Sequence, residues 1–129
     1  MIKLMLLIGF GGFIGTVFRY LLGGFIQNIS GSISFAFGTL AVNTIGCFII
    51  GFLSYLIEAR AMLNNEIRAF LLIGILGAFT TFSTFGHESF NHIAESKFHL
   101  ALINIGAHIF LGLSAVYFGR LISSVIWRY

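Results

Sequence analysis

The residues with the clearest chemical potential lie at positions 74–85, inside an apolar stretch, and read GILGAFTTFSTF. Two glycines followed by four hydroxyl residues in five positions form a continuous helix poorly, so we expect a break here. Non-helical backbone inside a membrane is tolerated only where protein buries it or a polar cavity adjoins it, and freed carbonyl oxygens can coordinate a cation. The alternative is a kinked helix whose hydroxyls bond to its own carbonyls. The density of hydroxyls favours a functional site.

Two aromatic residues of this segment, Phe82 and Phe85, are three positions apart and share one face of a helix. An aromatic ring has a negative face and a positive edge, so two ring edges turned into a narrow path would attract an anion without a formal charge. Ordinary packing is the alternative, and spacing alone favours it in a chain with 16 phenylalanines. Thr81, Ser83 and Thr84 lie beside the rings as candidate hydroxyl donors.

Asn43 is the strongly polar residue of another apolar stretch, and its amide offers two donor hydrogens. Thr39, Asn43 and Gly46 fall on one helical face, at i, i+4 and i+7. A buried asparagine in lipid needs a partner, which is either a neighbouring helix or an ion in a pathway. The residues of this stretch leave both interpretations open.

Polar residues in the first and last apolar stretches are further candidates. Arg19 lies well inside the first, where a charge usually marks a functional cavity, although a long side chain can also snorkel to the interface. Asn104 and His108 share a stripe of the last stretch with small residues, where they either line a pathway or bond to a neighbouring helix. The second role is favoured for His108. Glu88 is either a solvated end residue or a vestibule carboxylate.

Four apolar stretches carry these residues, and each approaches or exceeds the roughly 20 residues that cross a bilayer as a helix. The chain is 58% hydrophobic and only 9% charged, too little charge for a soluble surface, so lipid must be its main solvent. Uninterrupted runs of this length exclude a barrel. We therefore expect an all-α polytopic membrane protein, one domain over residues 1–129, with spans at Leu4–Ile26, Ile33–Ile57, Ala69 to about Phe85, and Phe98 to about Ile122.

Composition also narrows the classes of function. The net charge of +3 is spread without a basic cluster, which argues against a nucleic-acid partner. The histidines have no metal-ligand spacing, and no nucleotide-binding loop or catalytic triad is present in the sequence, so we expect no enzyme. One four-helix protomer encloses a pathway poorly because each helix must also face lipid. A pore formed by two or more copies is therefore favoured over a monomeric one.

The distribution of Lys and Arg predicts how the helices are oriented. With four spans, both termini lie on one side of the membrane. That side, with the middle loop, holds most of the basic residues: Lys3, Arg60, Arg68, Arg120 and Arg128. The other side holds Lys97, with Arg19 partway into the first span. The count favours cytoplasmic termini.

In combination, these residues resemble a known family. The matching motifs, in chain order, are GGFIG at residues 11–15, Arg19-Tyr20, GTLAVN at residues 38–43, Gly77, TTFSTF at residues 80–85, and Glu88. This order covers essentially the whole chain, with its length and number of spans, and resembles the Fluc (CrcB-type) fluoride channels. The hexapeptide in a third span, combined with an asparagine in the second, is the specific part of the match.

The resemblance implies an antiparallel, dual-topology homodimer with two parallel pores. By residue-level match, Phe82 and Phe85 would be the pore rings, and Asn43 the amide that contacts fluoride. The carbonyls of Gly77 and Thr80, at the helix break, would hold a structural sodium ion at the dimer interface. These roles are expectations that come from the family.

The family also implies a place for Arg19 in the vestibule and a function, the passive export of toxic fluoride across the inner or plasma membrane. Fluoride holds its water tightly, so a selective pore needs close, uncharged donors that do not trap the ion. Ring edges, an amide and hydroxyls meet this requirement. Family members often carry Tyr and Ser hydroxyls along the fourth helix, whereas this chain has Asn104, His108 and Gly112, so no hydroxyl role is carried over there.

Two other classes of protein stay open. A small dimeric drug or metabolite transporter should need a carboxylate embedded in the membrane, and none is central in these spans. A non-transporting assembly subunit predicts no flux from the purified protein alone.

Overall fold

The computed structural model describes residues 1–60 and 63–127, without the side chains of Ala59 and Arg60. All regular structure in those ranges is helical. The elements are α1 (Ile2–Ser30), α2 (Phe37–Arg60), α3 (Asn65–Arg68), a π-helix (Ala69–Leu76), α4 (Gly77–Phe79), α5 (Phe82–Ala94) and α6 (Phe98–Ile126). Arg128 and the side chain of Arg60, both used in the topology count, lie outside the described residues.

Four stretches of the described chain are long and apolar enough to cross a membrane: Ile2–Ser30, Phe37–Glu58, Asn65–Ala94 and Phe98–Ile126. They confirm the prediction of an all-α protein with four membrane-capable helices. At 1.5 Å per residue, a 29-residue helix such as α1 or α6 is about 43 Å long. This length exceeds the hydrocarbon core of roughly 30 Å, so the ends of both helices reach the headgroup region.

The third stretch differs most from its predicted limits. The sequence predicts an end near Phe85, whereas α5 continues to Ala94. The buried Ser89 of this extension donates to the carbonyl of Phe85 at 2.8 Å and accepts from Asn104 Nδ2 of α6 at 2.9 Å. Because these bonds replace water, the polar composition of the extension does not end the helix.

Glycines let two pairs of helices approach closely. α1 packs on the π-helix, and α2 packs on α6. A Cβ atom at Gly15 of α1 would overlap the carbonyl oxygen of Ile75, and one at Gly119 of α6 would overlap that of Phe48. Such small-residue contacts drive helix association in lipid, where van der Waals packing replaces the hydrophobic effect.

The side chain of Gln27 makes three hydrogen bonds to the backbone of the segment between α1 and α2 and the start of α2. Gly31 closes α1 with a φ of 61°, in the left-handed region that glycine adopts without strain. Gln27 Nε2 donates to the carbonyls of Ser32 at 2.6 Å and Phe35 at 3.1 Å, and its Oε1 accepts from the N–H of Gly38 at 3.0 Å. This ordered loop forms one wall of the outer cavity of the site.

Candidate functional site

The third span contains two consecutive residues with extended backbone. α4 ends at Phe79, and α5 begins at Phe82. Between them, Thr80 has φ and ψ of −83° and 155°, and Thr81 has −147° and 109°. Both values of ψ lie far from the helical range, so α4 and α5 are separate helical pieces of one membrane-capable stretch.

The extended pair changes the hydrogen bonds of two carbonyls. In a continuous α-helix, the N–H of Thr81 would donate to the carbonyl of Gly77, and that of Thr84 to the carbonyl of Thr80. Instead, the N–H of Thr81 donates to Asn43 Oδ1 at 2.8 Å, and that of Thr84 donates to Thr81 Oγ1 at 3.2 Å. The carbonyl oxygens of Gly77 and Thr80 therefore lose their usual helical donors.

Asn43 of α2 holds the extended pair in place. Its Nδ2 donates to the carbonyl of Thr81 at 3.1 Å, while its Oδ1 accepts from the N–H of the same residue. The amide thus binds both polar groups of one residue, as a neighbouring strand would. One of the two Nδ2 hydrogens makes this contact, so the amide retains a second donor. The sequence leaves a neighbouring helix or an ion as the partner of Asn43. In the structure, Asn43 bonds to the backbone of Thr81 in the neighbouring third span.

A cavity of about 370 Å³, here called the ring cavity, opens beside these residues between α2, the π-helix, α5 and α6. Asn43, Thr81, Phe82 and Phe85 line it. The centroids of the two phenyl rings are 5.4 Å apart in an edge-to-face arrangement at 61°. Phe82 is 83% exposed, whereas Phe85 is half-buried. One protomer therefore forms only one wall of the space around Phe82.

The hydroxyls beside the rings form a small network. Thr81 Oγ1 lies 3.2 Å from Ser83 Oγ and 2.9 Å from Thr84 Oγ1. The hydroxyl of Thr80 instead donates to the carbonyl of Leu76 at 3.0 Å. Thr81 is buried and lines both the ring cavity and the outer cavity, whereas Ser83 and Thr84 are exposed. Thr81 is thus the residue that the two sets of described lining residues share.

Asn104 and His108 have different settings on α6. Asn104 is 1% exposed, and its Nδ2 donates to Ser89 of α5, so it joins two helices and does not line the ring cavity. His108 does line that cavity, and its ring centroid lies 4.4 Å from that of Phe85, with the planes tilted by 38°. His108 Nδ1 is 2.9 Å from the carbonyl oxygen of Asn104 on its own helix.

The outer cavity has a volume of about 560 Å³ and lies beside the α1–α2 and α5–α6 loops. Arg19 lines it, as do Thr39 and Glu88, whose side chains are joined by a hydrogen bond of 2.5 Å from the Thr39 hydroxyl to Oε1. At its rim, Glu95 pairs with Lys97 at 2.7 Å. The hydrogen bond and charge of Lys97 hold the pKa of Glu95 below its ordinary value. Charges of both signs make this space suitable for hydrated ions.

Sequence reasoning did not select Ser89 or Cys47. Ser89 lies four residues after Phe85 and accepts from the buried Asn104. Cys47 lies four residues after Asn43 and lines the ring cavity. The i, i+4 spacing from a selected residue is the signal that would have found each of them.

Among the residues that the structure describes, no group of three or more His, Cys, Asp or Glu side chains could hold a metal ion. Near the extended pair, the carbonyls of Gly77 and Thr80 are oxygen atoms without their usual helical donors. Carbonyl oxygens suit a hard cation. Gly77 is exposed and Thr80 is half-buried.

The fold and the site define a class of protein, an integral membrane protein with a cavity of neutral polar and aromatic groups beside non-helical backbone. This is the arrangement of a pathway for an ion or small solute. The family model described as CrcB-like protein, Camphor Resistance (CrcB), matches residues 6–120, and the chain belongs to this family. It is a multi-pass protein of the plasma membrane.

Three relatives match over most of their length and of this chain. A protein of Methanosarcina barkeri named fluoride-specific ion channel FluC 3 is 45% identical over 125 residues, which cover 97% of this chain and 93% of the relative. The fluoride-specific ion channel FluC of Methanocaldococcus jannaschii is 44% identical over 128 residues, 99% of this chain and 100% of the relative. The protein of the same name from Nitrosococcus oceani is 44% identical over 112 residues, with 87% and 89% covered.

Proposed function

We propose that this chain is a fluoride-selective, passive ion channel that exports fluoride down its electrochemical gradient. The observation that carries the proposal is the ring cavity, in which Phe82, Phe85 and Asn43 meet and no Asp, Glu, Lys or Arg is among the described lining residues. The names of three relatives with nearly full coverage support the choice of ion. A channel catalyses no covalent reaction, which agrees with the expectation that the chain is not an enzyme.

The chemistry of the cavity suits a small anion with a tightly held water shell. The spare hydrogen of Asn43 Nδ2 and the positive ring edges of Phe82 and Phe85 are short-range donors that replace water one contact at a time. None of them carries a full charge, so the ion can leave as readily as it enters. The hydroxyl of Thr81 connects this site to the outer cavity, where Arg19 would gather anions. Ser83 and Thr84 hold the Thr81 hydroxyl in place.

The functional unit that we propose is an antiparallel homodimer. Phe82 and Gly77 are exposed on one protomer, and the carbonyl of Gly77 has lost its helical donor. Lipid offers no hydrogen bond to such groups, so a surface that carries them at membrane depth needs a protein partner. A second copy of the chain would close the ring cavity and cover this surface.

The proposal includes a structural sodium ion at the dimer interface. The carbonyls of Gly77 and Thr80 fit it because both are freed by the extended pair. Two carbonyls from each of two copies would give four oxygen ligands, the donor type that a hard cation prefers. The ion would supply positive charge that satisfies these carbonyls and joins the protomers.

Fluoride efflux from liposomes that contain only the purified protein tests the proposed function. We expect fluoride to leave and chloride to be retained, with protein-free liposomes as the control. Comparable chloride flux would contradict selectivity. No flux of either anion would favour a non-transporting subunit instead.

Dual topology has a separate test in intact cells. A single cysteine added at the C-terminus, in a Cys47→Ser background, is treated with a thiol reagent that does not cross membranes. We expect about half of the cysteines to react from outside, because antiparallel copies place this terminus on both sides. Labelling only after the cells are opened would support the charge count and contradict the antiparallel dimer.

A further inference from the structure

His108 adjoins the ring cavity with one of its nitrogen atoms fixed and the other without a partner. A carbonyl oxygen can only accept a hydrogen bond, so the 2.9 Å contact with the carbonyl of Asn104 requires a hydrogen on His108 Nδ1. In the neutral ring, Nε2 then carries a lone pair and no hydrogen. Nε2 is buried and has no hydrogen-bond partner among the described residues.

The imidazole contacts one of the proposed pore rings. Its centroid lies 4.4 Å from that of Phe85, and the Phe85 ring is in turn edge-to-face with Phe82. A charge on His108 would therefore lie one ring away from an anion held at the edge of Phe85. In the neutral ring, the lone pair of Nε2 does not attract an anion.

The described residues that line the ring cavity include no carboxylate that would pair with a charged His108 in place of an anion. Cys47 of α2 is the other titratable side chain among the described residues that line the ring cavity, and the π-helix and α5 contribute none there. On α5, Glu88 lines the outer cavity and is bonded to Thr39, and His87 is exposed and contacts Asn91. A protonated Nε2 thus finds no carboxylate within the ring cavity.

We propose that His108 couples fluoride conduction to pH, because fluoride in the ring cavity favours addition of a proton to Nε2 and the imidazolium in turn strengthens fluoride binding. This inference rests on the proposed fluoride function and adds its regulation. The proton comes from water, forms an N–H bond at the Nε2 lone pair, and returns to water when fluoride leaves. The empty site stays neutral, since the charged ring has no partner there, and so His108 is no permanent trap.

The direction of the effect follows from reciprocity. An anion close to an imidazole favours its charged form, so lower pH must strengthen fluoride binding by the same coupling. At fluoride concentrations below saturation, we expect the flux to rise about fivefold or more as the pH falls from 8 to 6, fivefold being the lower end of typical coupling between two binding events.

The test compares the pH profile of fluoride efflux for the parent and for His108→Gln, with protein-free liposomes correcting for hydrogen fluoride that crosses lipid. Gln keeps a polar side chain of similar reach but does not titrate. His99→Gln, the same change at an exposed position of α6 outside both cavities, is the matched control. We expect the fluoride efflux of His108→Gln to be independent of pH, and that of His99→Gln to depend on pH as the parent does. Equal profiles for the parent and His108→Gln would overturn the role of His108 and leave the proposed function standing.

A second measurement does not depend on how the variant folds. Nitrogen-15 NMR of the histidine-labelled parent, with His108→Gln used for assignment, follows Nε2 as the pH falls with and without sodium fluoride. We expect fluoride to shift the titration of His108 to higher pH, and sodium chloride to leave it in place. A titration that fluoride does not move would overturn the coupling. Absence of fluoride flux from the parent at every pH would instead remove the proposed function on which the coupling rests.

Discussion

Replacing Asn43 with Asp separates the structural part of the site from its ion-binding part. Asp keeps an oxygen that can accept from the N–H of Thr81 at 2.8 Å. It loses the nitrogen that donates to the carbonyl of Thr81 at 3.1 Å and that would donate to fluoride. Asn43→Leu removes both bonds to Thr81 and keeps a side chain that branches at the same carbon atom. The two variants therefore differ in how much of the extended pair they leave in place.

The expected losses of stability follow from counting these bonds. Asn43→Asp leaves the carbonyl of Thr81 without its donor, at about 1–3 kcal/mol. Asn43→Leu leaves the N–H and the carbonyl of the buried Thr81 unpaired, at about 1–3 kcal/mol each and so about 2–6 kcal/mol in all. We expect Asn43→Asp to keep more of its folded dimer than Asn43→Leu, which loses both bonds to Thr81.

The expected loss of fluoride flux for Asn43→Asp follows from the hydrogen bond that its amide would donate to the ion. A hydrogen bond to a charged partner contributes about 1.5–3 kcal/mol, which corresponds to about a 10- to 150-fold change at 1.4 kcal/mol per factor of ten. The carboxylate also repels fluoride, so we expect a loss at or beyond the upper end of this range.

Efflux per assembled dimer measures the prediction, with assembly checked by gel filtration and stability by thermal unfolding in detergent. Thr44→Val is the matched control, because the Thr44 hydroxyl lies on the same helix and donates to the carbonyl of Leu40 in that helix at 2.8 Å. Parent-like fluoride efflux by Asn43→Asp would refute the role of the amide as a fluoride donor. A fully stable Asn43→Leu would refute its role in holding Thr81.

Three further predictions concern the rings, the helix packing and the cation. Phe82→Ile and Phe85→Ile should abolish or strongly lower fluoride efflux, because the ring quadrupole is lost. The dimer should still form, since an aromatic pair contributes only about 0.5–1.5 kcal/mol beyond packing. The control Phe52→Ile, in another span, should conduct normally. Gly15→Val should destabilise the protein by about 1–3 kcal/mol or more, because its Cβ would overlap the Ile75 carbonyl, whereas Gly24→Val, with open space around its Cβ, should be tolerated in thermal unfolding. Exchanging sodium for a large organic cation should lower the unfolding temperature of the dimer, and an unchanged temperature would argue against the sodium site.

The sequence predicts the helical elements well because lipid imposes a simple rule on them. Each span must satisfy its own backbone, so length and apolar composition suffice to locate four helices. The limits of the third span are the exception. A polar run such as residues 86–94 normally ends a span, but Ser89 finds a partner in Asn104 of α6, and this pairing depends on a neighbour that the sequence of one helix does not specify.

Helical periodicity predicts a shared face but not what lies opposite it. Asn104 and His108 are one turn apart and were placed on one stripe, yet Asn104 is buried against α5 while His108 lines the ring cavity. Asn43 and Thr81 are 38 positions apart in the chain, so their two hydrogen bonds could not be predicted from spacing. The partner of each buried polar group is set by how the helices pack, which depends on the shape of many small residues at once.

Asn43 contributes to both of the ion sites that we propose, so a substitution of Asn43 affects both. Its Oδ1 accepts from the N–H of Thr81, which leaves the carbonyl of Gly77 free for the cation that we propose at the dimer interface. The second hydrogen of its Nδ2 is a donor for fluoride in the ring cavity. A change at Phe82 or Phe85 alters the fluoride site alone, whereas loss of the Asn43 side chain removes the support of both sites. Under this proposal, selectivity and assembly both depend on one amide. Variants that lose the fluoride site and keep the dimer should arise at the rings, or at Asn43 where the oxygen that accepts from Thr81 is retained.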